Sequence, residues 1–419
     1  MAKIAAIADW WWPDTVGGAE LTARQTLKTL ADSGHEVVVF TPGPTSSTLD
    51  DSVRVERIFC RTPRQTYQAS GAVKSADLLV AWLAPRQRSP LLDAVVEFGP
   101  EVIVLHNVAR FGQIPAAHLK ARIPDAKIVH VHHDLSDACW RRSMYKRGET
   151  CASVCITCRP KAYLQSRAHV SVDSCVAVSE YVRSTLVEAR VMRPERSSVG
   201  YPLGGEGPPA APTQSAAADD AVDASLRVGF IGRILDVKGL NRLIEALAIA
   251  QQDGVAITLV VAGEGDPALV ARYVRLASAL GVHMSMLGHL AVSDFADCVD
   301  VCVVPSQWPE PFGRVPVELA IHGVPTIVTP VGGLPEAARI AGGLSCVASG
   351  RDSKALAEAI LRFTRLGNRR NAIGDNEMSE VPLLTEVLLH EIGRLTEGLA
   401  TRNESGHSAP LDDSRPERT

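Results

Sequence analysis

Aromatic residues are scarce, at 5% of the chain. That is too few to suggest a groove in which nucleic-acid bases stack on rings. Charge of one sign is not in excess either: 43 Lys and Arg stand against 47 Asp and Glu, a formal net charge of −4. This argues against general polyanion binding, though it leaves local basic patches open, and no nucleic-acid partner is expected. No apolar run reaches the roughly 18 residues that a bilayer span needs. The opening MAKIAAIADWWWPD has an apolar part too short for a secretory signal and reads as a strand, so a cytoplasmic protein without a transmembrane segment is expected. No G-x-G-x-x-G is present, which removes the dinucleotide fingerprint and weakens an oxidoreductase reading. Internal repeats are absent. The nine cysteines, an odd number without an export signal, fit reduced thiols or metal ligands better than a disulfide framework.

What is present is an alternation of short apolar runs with amphipathic stretches. The 419 residues, 46% of them hydrophobic, can fill two cores. In the first half, residues 3–8, 37–40, 101–107, 127–133 and 174–178 read as buried strands. A helix is predicted from Gly17-Gly18-Ala19-Glu20 to about residue 33, with Leu21, Leu27 and Leu30 on its buried side. Ser179 is the expected N-cap of a helix over residues 180–189. Residues 204–225 are rich in Gly, Pro, Ala, Ser and Asp and read as a flexible linker. Strands at 226–231, 257–262, 283–287 and 301–304 then alternate with helices. A final helix over 381–399 carries Leu383, Leu384, Val387, Leu388, Ile392 and Leu395 at helical spacing, and 400–419 is expected to be disordered. The pattern predicts an α/β chain of two doubly wound domains, 1–203 and 226–380.

Four places carry chemistry. Residues 305–336 run PSQWPEPFGRVPVELAIHGVPTIVTPVGGLPE. Pro305, Pro309 and Pro311 hold off a helix until about Gly313, and Pro316 is tolerated only in a first turn. Glu310 therefore sits in the loop and Glu318 in the opening turn, at the edge where open α/β sheets bind ligands. Two carboxylates there suit the hydroxyls of a sugar and a ribose; a helix with a favourable acid near its start is the plainer alternative. At Gly232-Arg233 and Lys238-Gly239, a guanidinium and an ammonium at a strand end suit two phosphates, or are ordinary surface cations. Gly17 and Gly18 at a helix N-terminus let backbone N–H groups approach a phosphate, or make a tight turn. In His130-Val131-His132-His133-Asp134, strand alternation puts His130 and His132 on one face and His133 on the other or at the strand's end. Cys139, Cys151, Cys155 and Cys158 follow with C-x11-C-x3-C-x2-C spacing. Four thiolates can close a tetrahedral structural Zn²⁺ site; free or buried thiols, or one disulfide, fit the spacing as well. Arg141, Arg142, Lys146, Arg147, Arg159, Lys161 and Arg167 make the same segment basic. It can meet anionic lipid head groups or an acceptor pyrophosphate, or be a solvated surface.

The 305–336 stretch resembles the donor-site signature of the retaining glycosyltransferases of family 4, which have the GT-B fold. The matching parts are Glu310, Pro311-Phe312-Gly313, Glu318, Gly323-Val324-Pro325 and Gly332-Gly333-Leu334-Pro335-Glu336. More weakly, the likeness extends from Lys3 to about Gly398. It implies two Rossmann-like domains facing each other across a cleft, with the last helix crossing back to the first domain. Glu310 would hold the donor sugar and Glu318 the ribose. Arg233 and Lys238 would neutralise the nucleotide's diphosphate. Gly17 and Gly18 would lie across from the donor phosphates, and His133 would contact the sugar or reacting centre. The turn at Gly263 matches as well, and Gly288-His289-Leu290 falls where members place a base-facing loop. A subset of the family has a comparable cysteine cluster after its His-Asp pair.

The activity implied is transfer of a sugar from a nucleoside diphosphate, UDP slightly ahead of GDP, to a hydroxyl on a saccharide or lipid-linked saccharide. Loops near residues 10–15 and 62–90 would form the acceptor side. No catalytic metal is required, because two cations already do what Mg²⁺ would do. Peripheral contact with the inner membrane face fits the basic segment. A nucleotide-sugar epimerase on the same fold and a non-catalytic nucleotide-sugar-binding partner of an assembly complex are the rival readings.

Overall fold

The structure is a computed structural model; it describes residues 1–13, 17–59, 89–106, 108, 115–203, 225–365 and 380–405. The expected linker therefore lies outside the described residues except for Ser225. So do nearly all of the 62–90 acceptor loop, residues 366–379, and the end of the chain from 406.

The first unit contains β1 (Lys3–Ala8), α1 (Gly18–Asp32), β2 (Glu36–Pro42), β3 (Ser46–Asp50), β4 (Val53–Ile58), α2 (Ser89–Phe98), β5 (Val102–His106), α3 (Ala116–Arg122) and β6 (Lys127–His132). After the small hairpin of β7 (Tyr145–Lys146) and β8 (Glu149–Thr150) come α4 (Arg159–Ala168), β9 (Ser174–Ala177), α5 (Glu180–Glu188) and β10 (Ser197–Val199). Its eight strands lie in the order β10-β9-β6-β5-β1-β2-β4-β3. All pairs are parallel except β3 with β4. The strands read as near-continuous apolar runs because helices cover both faces of a parallel sheet. β3, with sequence SSTLD, is the exception: it is a mostly exposed edge strand without apolar alternation, and no sequence pattern announced it.

The second unit contains β11 (Leu226–Ile231), α6 (Leu240–Gln252), β12 (Ile257–Ala262), α7 (Pro267–Ala279), β13 (His283–Gly288), α8 (Val292–Ala296), β14 (Val301–Val304), α9 (Val315–Ile321), β15 (Thr326–Val328), α10 (Leu334–Ile340), β16 (Ser345–Val347) and α11 (Ser353–Arg365). Its sheet is wholly parallel, in the order β13-β12-β11-β14-β15-β16. In both units the chain's order reverses beside the first strand, between β1 and β5 and between β11 and β14. Such a reversal opens a crevice at the carboxyl ends of the strands.

The last helix, α12 (Leu384–Ser405), returns to the first unit, where Leu384, Leu388, Ile392 and Leu395 join its core. The helix begins three residues later than expected and continues through 400–405, where disorder is expected from the sequence. α1 also differs in one respect. Leu27 and Leu30 are buried as expected, but Leu21 is 45% exposed; Thr22, Ala23 and Thr26 take the inner face instead. The buried threonines satisfy their hydroxyls on carbonyls one turn back, Thr22 on Gly18 and Thr26 on Thr22, so polarity does not bar them from the core.

Candidate active site

The C-terminal side of the crevice is built on glycine turns. Gly239 adopts φ +78°, and a Cβ there would stand 1.9 Å from the Pro305 carbonyl oxygen. Only glycine lets the turn after β11 lie this close to the exit of β14. Lys238 is brought onto Glu310 as a result: its Nζ donates to Oε1 at 2.9 Å. The Ser306 hydroxyl donates to the same oxygen. Glu310 is buried, 7% exposed, and both partners offset the cost of taking its carboxyl group out of water. Gly313, at φ +85°, turns the chain beneath it, 3.6 Å from Glu310 Oε2 as measured to a built Cβ. Phe312 is buried beside Tyr201, ring centroids 5.6 Å apart; it is a packing residue here.

Glu318 lies in the first turn of α9 with Pro316 before it, as expected. Its Oε1 is 2.5 Å from Arg314 Nη2, and Arg314 reaches across the crevice to donate to the Gly18 carbonyl at 3.4 Å. Gly17 precedes α1 in extended backbone. Glu20, in the first turn of that helix, is pushed up from the ordinary Glu range by burial; against this act its backbone hydrogen bond and the guanidiniums of Arg142 and Arg233. Arg233, in the second unit, is thus near enough to Glu20 in the first for its charge to act on that carboxyl group. Gly263 (φ +134°) packs against Gly232, where a Cβ would meet the carbonyl oxygen at 1.9 Å, whereas Gly288 (φ +69°) borders open space.

His133 directly follows β6, and its ring pairs with His106 while those of His130 and His132 lie against each other. Its Nε2 lies 2.9 Å from Nδ1 of His106, at the end of β5. Burial, helped by the charge of His130, lowers His133 to about 3, and burial with the charges of His133 and His130 lowers His106. Both rings are therefore neutral and one donates to the other. Sequence reasoning did not single out His106, although its place at the end of an adjacent expected strand was the available signal.

Glu336, the last residue of the glycine turn signature, performs an unforeseen task. It accepts from the backbone N–H of Glu180 at 2.9 Å and of Tyr181 at 3.4 Å, and from the Tyr201 hydroxyl at 2.6 Å. A carboxylate of the second unit thus sits at the N-terminus of α5 in the first, where the helix dipole favours it. Ser179 caps that helix as predicted, accepting from Val182 N–H at 3.1 Å, and also donates across the interface to the Pro311 carbonyl.

The cysteine segment is only partly as expected. All four thiols are free, and they act on one another electrostatically. The Cys155 thiol is lowered to about 7, first by its contact with the Thr157 hydroxyl, whereas burial raises Cys158 to about 11. Among the described residues, however, the group of metal-ligating side chains whose ligand atoms all lie within 4.8 Å is His130, His132, Asp137 and His169, not the cysteines. A Zn²⁺ on the four sulfurs would require the segment to draw in. Lys161 does not belong to the basic surface: it is 4% exposed, donates to the Cys139 carbonyl at 3.4 Å and lies 4.8 Å over the Trp140 ring. Arg142 turns inward toward Asp134, 4.0 Å away. Arg141, Lys146, Arg147, Arg159 and Arg167 are exposed.

Two parallel-sheet units, the strand ends of each turned to a shared gap lined by acids, cations and glycine turns, define a glycosyltransferase of the GT-B type. The chain belongs to the family 4 glycosyltransferases. The family model described as Glycosyltransferase Family 4 matches residues 16–202, and that described as Glycosyl transferases group 1 matches 218–379. A Klebsiella pneumoniae protein described as an uncharacterized 42.6 kDa protein in the cps region is 25% identical over 336 residues, 79% of this chain and 86% of that protein. Glycogen synthase of Mycobacterium tuberculosis is 34% identical over 140 residues, 31% of this chain and 32% of its own. Among solved structures, Anabaena HepE in complex with UDP and glucose superposes with a TM-score of 0.63 at 18% identity, over 97% of this chain and all of that one. The catalytic domain of Arabidopsis thaliana starch synthase IV, bound to ADP and acarbose, gives 0.65 at 15% identity over 95% and 99%. No described helix is long and apolar enough to cross a membrane.

Proposed function

We propose that the chain transfers a sugar from a nucleoside-diphosphate sugar to an acceptor hydroxyl with retention of configuration at the anomeric carbon. The observation that carries this is a run of contacts from Lys238 to the glycine turn of the first unit. Lys238 pairs with Glu310, and Glu310 lies over Gly313. The next residue, Arg314, joins Glu318 to Gly18, and Glu20 feels Arg233. Arg314 thus brings the Glu318 carboxylate up to the glycine turn of the first unit, and Arg233 acts on Glu20 of that unit through its charge.

In this reading the diphosphate lies between Arg233, Lys238 and the backbone N–H groups after Gly17. An ammonium has three donors, so Lys238 can keep Glu310 and still reach a phosphate. Glu310 orients the sugar hydroxyls, Glu318 the ribose, Gly263 and Gly288 border the base, and His133 stands neutral beneath the reacting centre. The acceptor oxygen bonds to the anomeric carbon on the face from which the diphosphate departs. The carbon–oxygen bond to the leaving group breaks, and the acceptor's proton passes to the departing phosphate oxygen. Arg233 and Lys238 stabilise the charge that develops there, which is electrostatic catalysis without a catalytic metal.

UDP is the favoured nucleotide, an inference supported by the HepE complexes with UDP and with UDP-glucose. A role in polysaccharide or glycoconjugate assembly is supported by likeness to WaaG, a glycosyltransferase involved in lipopolysaccharide biosynthesis (TM-score 0.57, 16% identity). The exposed arginines and lysines near β7 and β8 would face a lipid-linked acceptor at the inner membrane face.

A thermal-shift panel of UDP, GDP, ADP and their sugars tests the donor, since a ligand that binds only the folded state raises its stability. UDP or a UDP-sugar is expected to give the largest shift. Arg233→Ala should lower turnover about 100- to 1,000-fold, as deleting one oxyanion donor does, and activity should persist in EDTA. NMR of the first product formed reads the anomeric configuration. An inverted product would overturn the retaining assignment, and normal turnover in Arg233→Ala would overturn the charge assignment.

A further inference from the structure

We propose that His130, His132, His169 and Asp137 form a structural binding site for a divalent transition-metal cation, Zn²⁺ foremost, in the first domain and apart from the donor cleft. Asp137 Oδ2 stands 3.1 Å from His169 Nε2, 3.4 Å from His132 Nδ1 and 3.7 Å from His130 Nδ1. The edge of a tetrahedron around Zn²⁺, with bonds of ~2.0–2.1 Å, is about 3.3–3.4 Å. Asp137 therefore already stands near coordination-shell distance from three imidazole nitrogens, the four ligand atoms lie within 4.8 Å of one another, and each residue is at most 7% exposed.

A second observation points the same way. His130 Nδ1 is buried, faces the carboxylate and has no hydrogen-bond partner. Buried polar atoms left without a partner are rare, and a cation at the centre would satisfy this one. Partners behind the ligands are also present: Gln165 Nε2 is 3.3 Å from Asp137 Oδ1, and Cys175 Sγ is 3.6 Å from His169 Nδ1. Outer contacts of this kind orient metal ligands.

The ligand chemistry narrows the choice. Three imidazoles and one carboxylate, without a thiolate, suit Zn²⁺ in a closed four-coordinate shell with no position for substrate. The role is architectural. His130 and His132 belong to β6, whereas Asp137 and His169 bracket the excursion through the hairpin and α4. One ion would tie that excursion to the sheet, next to His133. Without metal, the hydrogen bond within the tetrad is the one between His169 Nε2 and Asp137 Oδ2 at 3.1 Å.

The test uses the full chain, purified with no residual affinity tag, incubated with Zn²⁺ and desalted. Elemental analysis is expected to give one zinc per chain. X-ray absorption should show a shell of nitrogen and oxygen with imidazole outer scattering. If the cysteines bind a second ion, two zincs per chain and a mixed shell result, and the Cys155→Ser/Cys158→Ser variant should keep one zinc with no sulfur. Asp137→Asn and His132→Ala should lose the nitrogen–oxygen zinc. Less than stoichiometric zinc in the native chain, or a single zinc with sulfur ligands, overturns the proposal. Both results come from the unmodified sequence and stand even where a histidine variant fails to fold. Neither depends on glycosyl transfer, so failure of this site leaves the cleft reading untouched.

Discussion

Lys238→Ala should do two separable kinds of damage. The Glu310 carboxylate loses the partner that stands 2.9 Å away. Its side chain is 9% exposed and that of Lys238 23%. Removing one member of a fully buried ion pair costs ~3–5 kcal/mol; with an ammonium a quarter exposed, about 2 kcal/mol is expected. The Ser306 hydroxyl still serves the stranded oxygen, which keeps the figure at the lower end. A loss of that size should lower the melting temperature of a unit this long by about 4–8 °C. Adding Glu310→Gln removes the stranded charge and should recover most of the stability. Turnover responds differently: without the cation near the leaving diphosphate it should fall about 100- to 1,000-fold, and the second substitution should not restore it. Calorimetry and initial-rate kinetics on the two single variants and the double variant complete the cycle. If the double variant regains turnover, Lys238 serves only as a counter-ion for Glu310. An unchanged melting temperature in Lys238→Ala would show instead that the pair contributes no stability.

Other perturbations follow from the same geometry. Gly239→Ala places a Cβ against the Pro305 carbonyl in a left-handed backbone, so urea unfolding should reveal a loss of at least about 1–3 kcal/mol, the cost of such strain; unchanged stability would mean the two turns are not in contact. Glu336→Ala removes three hydrogen bonds between the units. Small-angle scattering of the nucleotide-free variant should show a larger radius of gyration, and an unchanged radius would refute its role as a clamp. With no metal on the thiols, alkylation of Cys155 should rise with pH through a midpoint of about 7, because only the thiolate is nucleophilic. Cys158, pushed up to about 11, should resist labelling at neutral pH; peptide mass spectrometry at a series of pH values decides, and equal reactivity would contradict the Thr157 contact.

Much of the fold could be read directly because its determinants are local. The apolar run at 301–304, the prolines around Glu310 and the early position of Pro316 placed β14, the loop and α9 within a residue of where they lie. The serine cap of α5 and the strand alternation that parts His133 from His130 and His132 were equally legible. The edge strand β3 was not, because an exposed polar strand takes its stability from pairing rather than from its own pattern. Lys161 was misread for a related reason: seven cations in one stretch look alike in sequence, and only packing against Trp140 decided which of them is buried.

What the chain dictated alone was the alternation of strand and helix, the glycine turns at strand ends and the residue types gathered there, since these follow from steric limits and periodicity within a few residues. What only the tertiary structure decided was which groups meet. Arg314 touches Gly18 across 296 residues, Glu336 caps a helix 156 residues away, and three histidines converge on Asp137 rather than four cysteines on one another. Such pairings depend on how two sheets and their crossovers come to rest in space, and spacing along the chain carries no record of that.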